Sequence, residues 1–154
     1  AAQQRKARVG AGFETHIRAL LEAGAIPFAE QKVVSSLRPD FVLPSVALYQ
    51  AKSPSALVLS AKTTLRERWK QVTMEKRGCP VFLATMDEKV AVSSVRKMRE
   101  HDVFLVVPEA FKAKGKGTVV DFSAESNVLS FSEVFKEEIG VRRVPLWQAE
   151  RTAS

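Results

Sequence analysis

A single cysteine, Cys79, serves the whole chain, so an internal disulfide is impossible and a thiolate zinc centre is not expected. That scarcity suits a reducing compartment, and cytoplasmic localisation is expected. Cys79 follows Gly78 into an apolar run and reads as a small buried side chain. Histidine is almost as rare: His16 and His101 stand apart, without metal-ligand spacing, and both are assigned to structure or surface. Tyr49 is the only tyrosine, and no Arg-His-Arg set surrounds it to support nucleophilic attack on phosphate. No apolar run approaches the roughly 18 residues that cross a bilayer, so no membrane partner is expected. An initiator methionine and an apolar signal region are also missing from Ala1-Ala2-Gln3-Gln4-Arg5-Lys6, and the chain is expected to be an excerpt of a longer protein.

What the sequence has in excess is positive charge. Lys and Arg number 24 against 17 Asp and Glu, a formal +7, which makes polyanions the natural partners. Arg5, Lys6 and Arg8 read as generic phosphate contacts or a basic arm. At 154 residues the chain is large enough to bury a core without disulfides, and one domain over residues 1–154 is expected.

Hydrophobic periodicity supplies the elements. Phe13, Ile17, Leu20 and Leu21 predict an opening helix after Gly10 and Gly12, with Gly24 as its stop and Glu14 and Arg18 on another face. Residues 26–34 and 37–43 predict a hairpin, residues 49–55 a polar loop, and residues 56–61 a short buried strand. Thr63 and Thr64 are placed to cap a helix that runs to about residue 76 and stops at Gly78. A strand at 80–86, a helix at 88–99 and a strand at 103–107 follow, then a short helix from Pro108, a basic loop at 112–117 and a late helix at 131–139. This succession predicts an α/β fold, a mixed central sheet flanked by helices.

Three residues in that frame carry chemistry. Asp40 follows Pro39 at the head of one predicted strand, Lys62 closes the apolar run Ala56-Leu57-Val58-Leu59-Ser60-Ala61, and Glu75 lies on the next helix. Taken singly each has an ordinary account: Asp after Pro is a common turn residue, a lysine ending a strand is usually a solvated end, and a helical Glu pairs with neighbouring bases. Together they suit magnesium-dependent phosphodiester hydrolysis. Magnesium takes oxygen ligands, one or two carboxylates plus substrate phosphate, and Asp40 and Glu75 would be that pair. The Lys62 ammonium would stand beside the scissile phosphate and help hold or deprotonate the attacking water. Many nucleases place a second acid two residues before the lysine, but here that position is Ser60. Thr64, Arg68, Gln71 and Glu75 share one helical face, with Leu65, Trp69 and Val72 on the adjacent one, so the helix is able to bury an apolar stripe and return Glu75 to the metal.

Arg66-Glu67-Arg68 opens the same helix. Arg makes bidentate contacts to guanine and Glu accepts from the cytosine amine, so the triplet is a chemically sensible reader of G and C in the major groove, although without a family likeness it would pass for a charged helix face. Arg38-Pro39-Asp40, the block Ser60-Ala61-Lys62-Thr63-Thr64-Leu65-Arg66-Glu67-Arg68-Trp69, and Glu75 at a displaced-acid position resemble type II restriction endonucleases of the EcoRII group, a branch of the PD-(D/E)xK nuclease fold. The likeness spans about residues 5–135. It implies a homodimer that uses Mg2+ to cut double-stranded DNA at a short palindrome with outer CC and GG, such as CCNGG or CCWGG. It also implies that Glu14 is the acid such nucleases carry before the Pro-Asp, and that an N-terminal effector domain belongs to some relatives. Two rivals remain on the residues alone: a repair nuclease or junction resolvase of the same fold, and a non-catalytic DNA-binding module.

Overall fold

The structure is a computed structural model and describes residues 2–30, 40–62, 65, 79–87, 90–109 and 125–153. Its first element, helix α1 (Ala2–Ala23), starts well before the predicted Phe13 and runs through Gly10 and Gly12. Gln3, Gln4, Arg5, Lys6 and Ala7 are good helix formers, and their propensity offsets the roughly 1 kcal/mol that each interior glycine costs. The helix stops where expected, with Ala25 in the left-handed region (φ 52°) and the Ile26 amide donating back to the Leu21 carbonyl. Gly24 serves by close approach, since a Cβ there would come 3.1 Å from Ile26 Cδ1.

Six strands follow in simple sequential order: β1 (Ala29–Glu30), β2 (Phe41–Leu43), β3 (Leu57–Lys62), β4 (Val81–Thr85), β5 (Val103–Val107) and β6 (Val128–Ser130). The first three pair antiparallel, with Glu30 opposite Phe41 and Phe41 opposite Leu59. From β3 onward every pair is parallel. The carboxyl ends of β3, β4, β5 and β6 therefore share one edge of the sheet. Because β2 runs against β3, the residue just before it, Asp40, is delivered to that same edge.

Side-chain alternation sorts the strands into two cores. Val42, Val58, Val81, Leu83, Val103 and Leu105 join Tyr49, Val95 and Met98 on one face. Phe41, Leu57, Leu59, Phe82, Ala84 and Val106 join Phe13, Ile17, Leu21, Val134 and Trp147 on the other. With both faces covered, the parallel strands read as near-continuous apolar runs. The first face carries α2 (Val46–Gln50) and α3 (Val92–Glu100). The second carries α1, α4 (Glu133–Val141) and α5 (Val144–Ala153).

Five elements differ from expectation. The polar stretch at 49–55 is a loop from Ala51 onward, as expected, but its first two residues close α2, which is capped by Ser45 Oγ accepting from the Leu48 amide at 3.3 Å. Helix α3 starts at Val92 rather than 88. The late helix begins at Phe131 as expected but runs on to Val141, wound as a π-helix over Glu133–Val141, and β6 and α5 were not anticipated. Ser130 and Glu133 exchange hydrogen bonds in a capping box that leads from β6 into the helical turn. The predicted helix over 65–76 and the basic loop at 112–117 lie outside the described residues, apart from Leu65.

Helix α5 is tied to the sheet by Trp147, buried to 3% exposure, whose indole Nε1 donates to the Ser55 carbonyl at 3.0 Å. Trp147→Phe keeps most of the apolar volume and loses this buried hydrogen bond. The expected cost is about 1 to 2 kcal/mol, read as a lower urea midpoint at unchanged slope.

Candidate active site

Polar residues break out of the apolar strands at one place, the carboxyl edge of the parallel strands. Lys62 is the last residue of β3 and Asp40 the residue before β2, and their antiparallel pairing sets them side by side. Asp40 Oδ2 accepts the Ala61 amide at 2.7 Å and lies 3.8 Å from Lys62 Nζ. Asp40 is only 5% exposed, while the Lys62 side chain keeps 24% of its surface in solvent. An ammonium that is partly open beside a buried carboxylate is able to meet a ligand and remain charge-compensated.

Glu14 reaches the same neighbourhood from α1. Burial pushes its carboxyl above the ordinary value, the Asp40 charge pushes it further, and Lys62 opposes both. Burial likewise raises Asp40, against the lowering effect of the Ala61 hydrogen bond and of Lys62. The three groups thus form one electrostatic cluster in which two carboxylates share one lysine. Glu30, on β1 opposite Phe41, adds negative charge that raises both acids. Arg18, on α1, holds Glu30 through both Nε and Nη2. Sequence reasoning placed Arg18 beside Glu14 on the helix but did not connect it to Glu30. That contact depends on the strand register and has no local signal.

On the other side of β3, Lys62 pairs in register with Thr85, the end of β4. Two residues beyond, Asp87 accepts the Leu65 amide at 3.0 Å. A sequence signal existed for this group: Thr85-Met86-Asp87 ends an apolar strand just as Ser60-Ala61-Lys62 does. Of the other predicted site residues, Glu75, Arg66, Glu67 and Arg68 lie outside the described residues. Cys79 is buried, as expected, and burial raises its thiol.

The donor chemistry at this edge fits magnesium. Asp40 and Glu14 offer carboxylate oxygens whose ionised forms are disfavoured by burial, so a divalent cation would relieve their charge, and magnesium would need only one or two carboxylates.

The EcoRII C-terminal family matches this sequence over residues 1–133. The chain belongs to the EcoRII C-terminal family. Within it, the chain is 29% identical over 163 residues to the type II restriction enzyme SsoII of Shigella sonnei, covering 89% of this chain and 53% of that enzyme. It is 35% identical over 117 residues to the type II restriction enzyme EcoRII of Escherichia coli, covering 72% of this chain and 29% of that enzyme. The family member described here thus spans about half, or less, of the curated relatives it matches. Among solved structures, metal-depleted Ecl18kI in complex with uncleaved DNA superimposes with a TM-score of 0.77 at 28% identity, over 92% of this chain and 48% of that one. The restriction endonuclease PspGI, in complex with substrate DNA, shares the fold with a TM-score of 0.72 at 20% identity, over 90% of this chain and 63% of that one. The EcoRII-group resemblance and the restriction-endonuclease-like α/β fold are both borne out. No helix among the described residues is long and apolar enough to cross a membrane.

Proposed function

We propose that residues 1–154 form one catalytic unit of a sequence-specific, Mg2+-dependent type II restriction endonuclease, which acts as a cytoplasmic homodimer on double-stranded DNA with outer CC and GG, of the CCNGG or CCWGG class. The observation that carries this is the Asp40 carboxylate and Lys62 ammonium set side by side at one sheet edge, in a chain whose relatives are named as restriction enzymes. Asp40 and Glu75 would hold the cation, with Glu14 as a further acid at the same edge. Magnesium, when bound, supplies concentrated positive charge opposite the scissile phosphate.

The chain's own groups then have distinct tasks. Lys62 meets a phosphoryl oxygen or the attacking water, and its charge offsets the negative charge that grows as water adds to phosphorus and one ester bond breaks. The Ala61 amide and the Lys62 ammonium together oppose the rise that burial imposes on the Asp40 pKa. Arg66 and Arg68 make bidentate contacts to guanine edges and Glu67 accepts from a cytosine amine, so reading and cutting are neighbours along the chain.

The test is incubation of the chain with a duplex library and Mg2+, followed by sequencing of fragment ends. Ends that share one short palindrome support the proposal. Cutting confined to branched or damaged DNA would instead mark a resolvase or repair nuclease, and salt-sensitive binding with no cutting at any Mg2+ concentration would mark a binding module. Replacing Arg66 or Arg68 with Ala is expected to cost about 1 to 3 kcal/mol of discrimination between cognate and one-base-changed duplexes, whereas Lys6→Ala weakens all sequences alike. Equal losses on cognate and random DNA would remove the base-reading role.

A further inference from the structure

We propose that Asp87 is a positioning residue that couples sequence reading to phosphodiester chemistry, by anchoring the backbone between Lys62 and Arg66-Glu67-Arg68. The inference rests on the nuclease function proposed above and adds a residue from a third strand. Lys62 is fixed in the sheet, paired with Thr85 across the β3–β4 ladder. Past the end of β4, Asp87 Oδ2 takes the Leu65 amide at 3.0 Å. Asp87 is itself held, because its own amide donates to Thr85 Oγ1 at 3.0 Å, and Thr85 is fully buried.

Leu65 is therefore gripped twice. Its amide is bound by a carboxylate, a charge-assisted hydrogen bond of the stronger kind, and its side chain, 1% exposed, sits in the core with Val58, Leu83 and Val90. Along the chain, Leu65 stands three residues after Lys62 and immediately before Arg66. A displacement at Leu65 reaches the proposed reader through one peptide bond and the proposed catalytic lysine through three. Misplacement of reacting groups by about 1 Å costs on the order of 100-fold in rate, so one hydrogen bond at this junction is able to govern both functions. A carboxylate already engaged with an amide on the far side of β3 from Asp40 is suited to holding backbone. Among the described residues it joins no three-membered metal-ligating group.

The test compares the wild-type chain with Asp87→Ala and Asp87→Asn. Two readouts are taken: hydrogen exchange at the Leu65 amide without DNA, and Mg2+-dependent cleavage of a CCNGG duplex against duplexes with one outer pair changed. Asp87→Ala is expected to speed Leu65 exchange by about tenfold or more and to lower cognate cleavage by roughly 10- to 100-fold while the cognate preference shrinks. Asp87→Asn keeps an acceptor oxygen but loses the charge, and is expected to fall between wild type and the alanine variant in both readouts. Unchanged exchange in the alanine variant overturns the anchor, and unchanged cognate preference in a fully folded alanine variant overturns the coupling. Equal losses in the two variants overturn the acceptor role as well. A wild-type chain that cuts no duplex sinks the nuclease function, and exchange at Leu65 then decides the anchor alone.

Discussion

Lys62→Ala is expected to fold, to bind cognate duplex in Ca2+, and to cut it about 10³-fold more slowly than wild type in single turnover with Mg2+. Two losses combine in that figure. The first is the ammonium itself, which stands partly exposed at the carboxyl end of β3 and is the described cation nearest the Asp40 carboxylate. The second acts through Asp40: burial already raises its pKa, and Lys62 is one of the two influences that lower it. Without Lys62 the carboxyl shifts further toward its neutral form, and a protonated Asp40 is a poor ligand for a hard cation. Raising the pH is therefore expected to recover part of the loss, the part due to Asp40, and not the part due to the missing ammonium. Cleavage by the variant within tenfold of wild type would remove Lys62 from the chemistry.

The pairing behind this prediction was legible because it lies where local rules are strong. A strand buried on both faces is an uninterrupted apolar run, so the first charged residue after 56–61 marks its end, and β3 duly closes on Lys62. Pro39 before Asp40 marks the entry to β2, the neighbour of β3 on the β1 side of the sheet. Antiparallel pairing of β2 with β3 then follows from chain economy, and the two polar residues meet. Where several weak preferences compete, the sequence was less informative. Gly10 and Gly12 suggested a late helix start, yet the helix-favouring run from Gln3 to Ala7 outweighed two glycines. The composition of 49–55 suggested a loop and hid the Ser45 cap four residues upstream. A strand of three residues, β6, offers too short a pattern for period-two alternation to register. At the site, the Arg18–Glu30 pair and the Asp87–Leu65 hydrogen bond join groups distant in sequence and depend on strand register, which residue spacing does not encode. The block from Ser60 to Trp69, by contrast, was specific enough to point to the EcoRII group, and the family match over residues 1–133 agrees.

Asp40→Asn is expected to separate stability from activity: cleavage falls by about 10³-fold or more, the several kcal/mol that a held divalent cation contributes to phosphoryl transfer, while the folded chain becomes more stable at neutral pH. The sign follows from the raised pKa. A carboxyl that is harder to ionise in the folded state than in the unfolded one contributes stability while both states are protonated, and that contribution is lost as pH rises from the ordinary value of 3.8 through the folded value. Above that window the wild-type chain carries a buried carboxylate that the Ala61 amide and Lys62 only partly compensate. Asparagine removes the charge and keeps an oxygen to accept from Ala61. The melting temperature of the variant should match wild type near pH 3, exceed it increasingly as the pH is raised, and level off once Asp40 is fully ionised. Glu14, raised by the same burial and by Asp40 itself, should titrate lower in the variant, because one neighbouring negative charge is gone. Added Mg2+ should then stabilise the wild-type chain and narrow the gap, since the cation supplies the compensation that burial withholds. A variant that is less stable than wild type at pH 7.5, in the absence of divalent ions, would mean that Asp40 serves the fold, and the burial penalty assigned to its carboxylate would have to be abandoned.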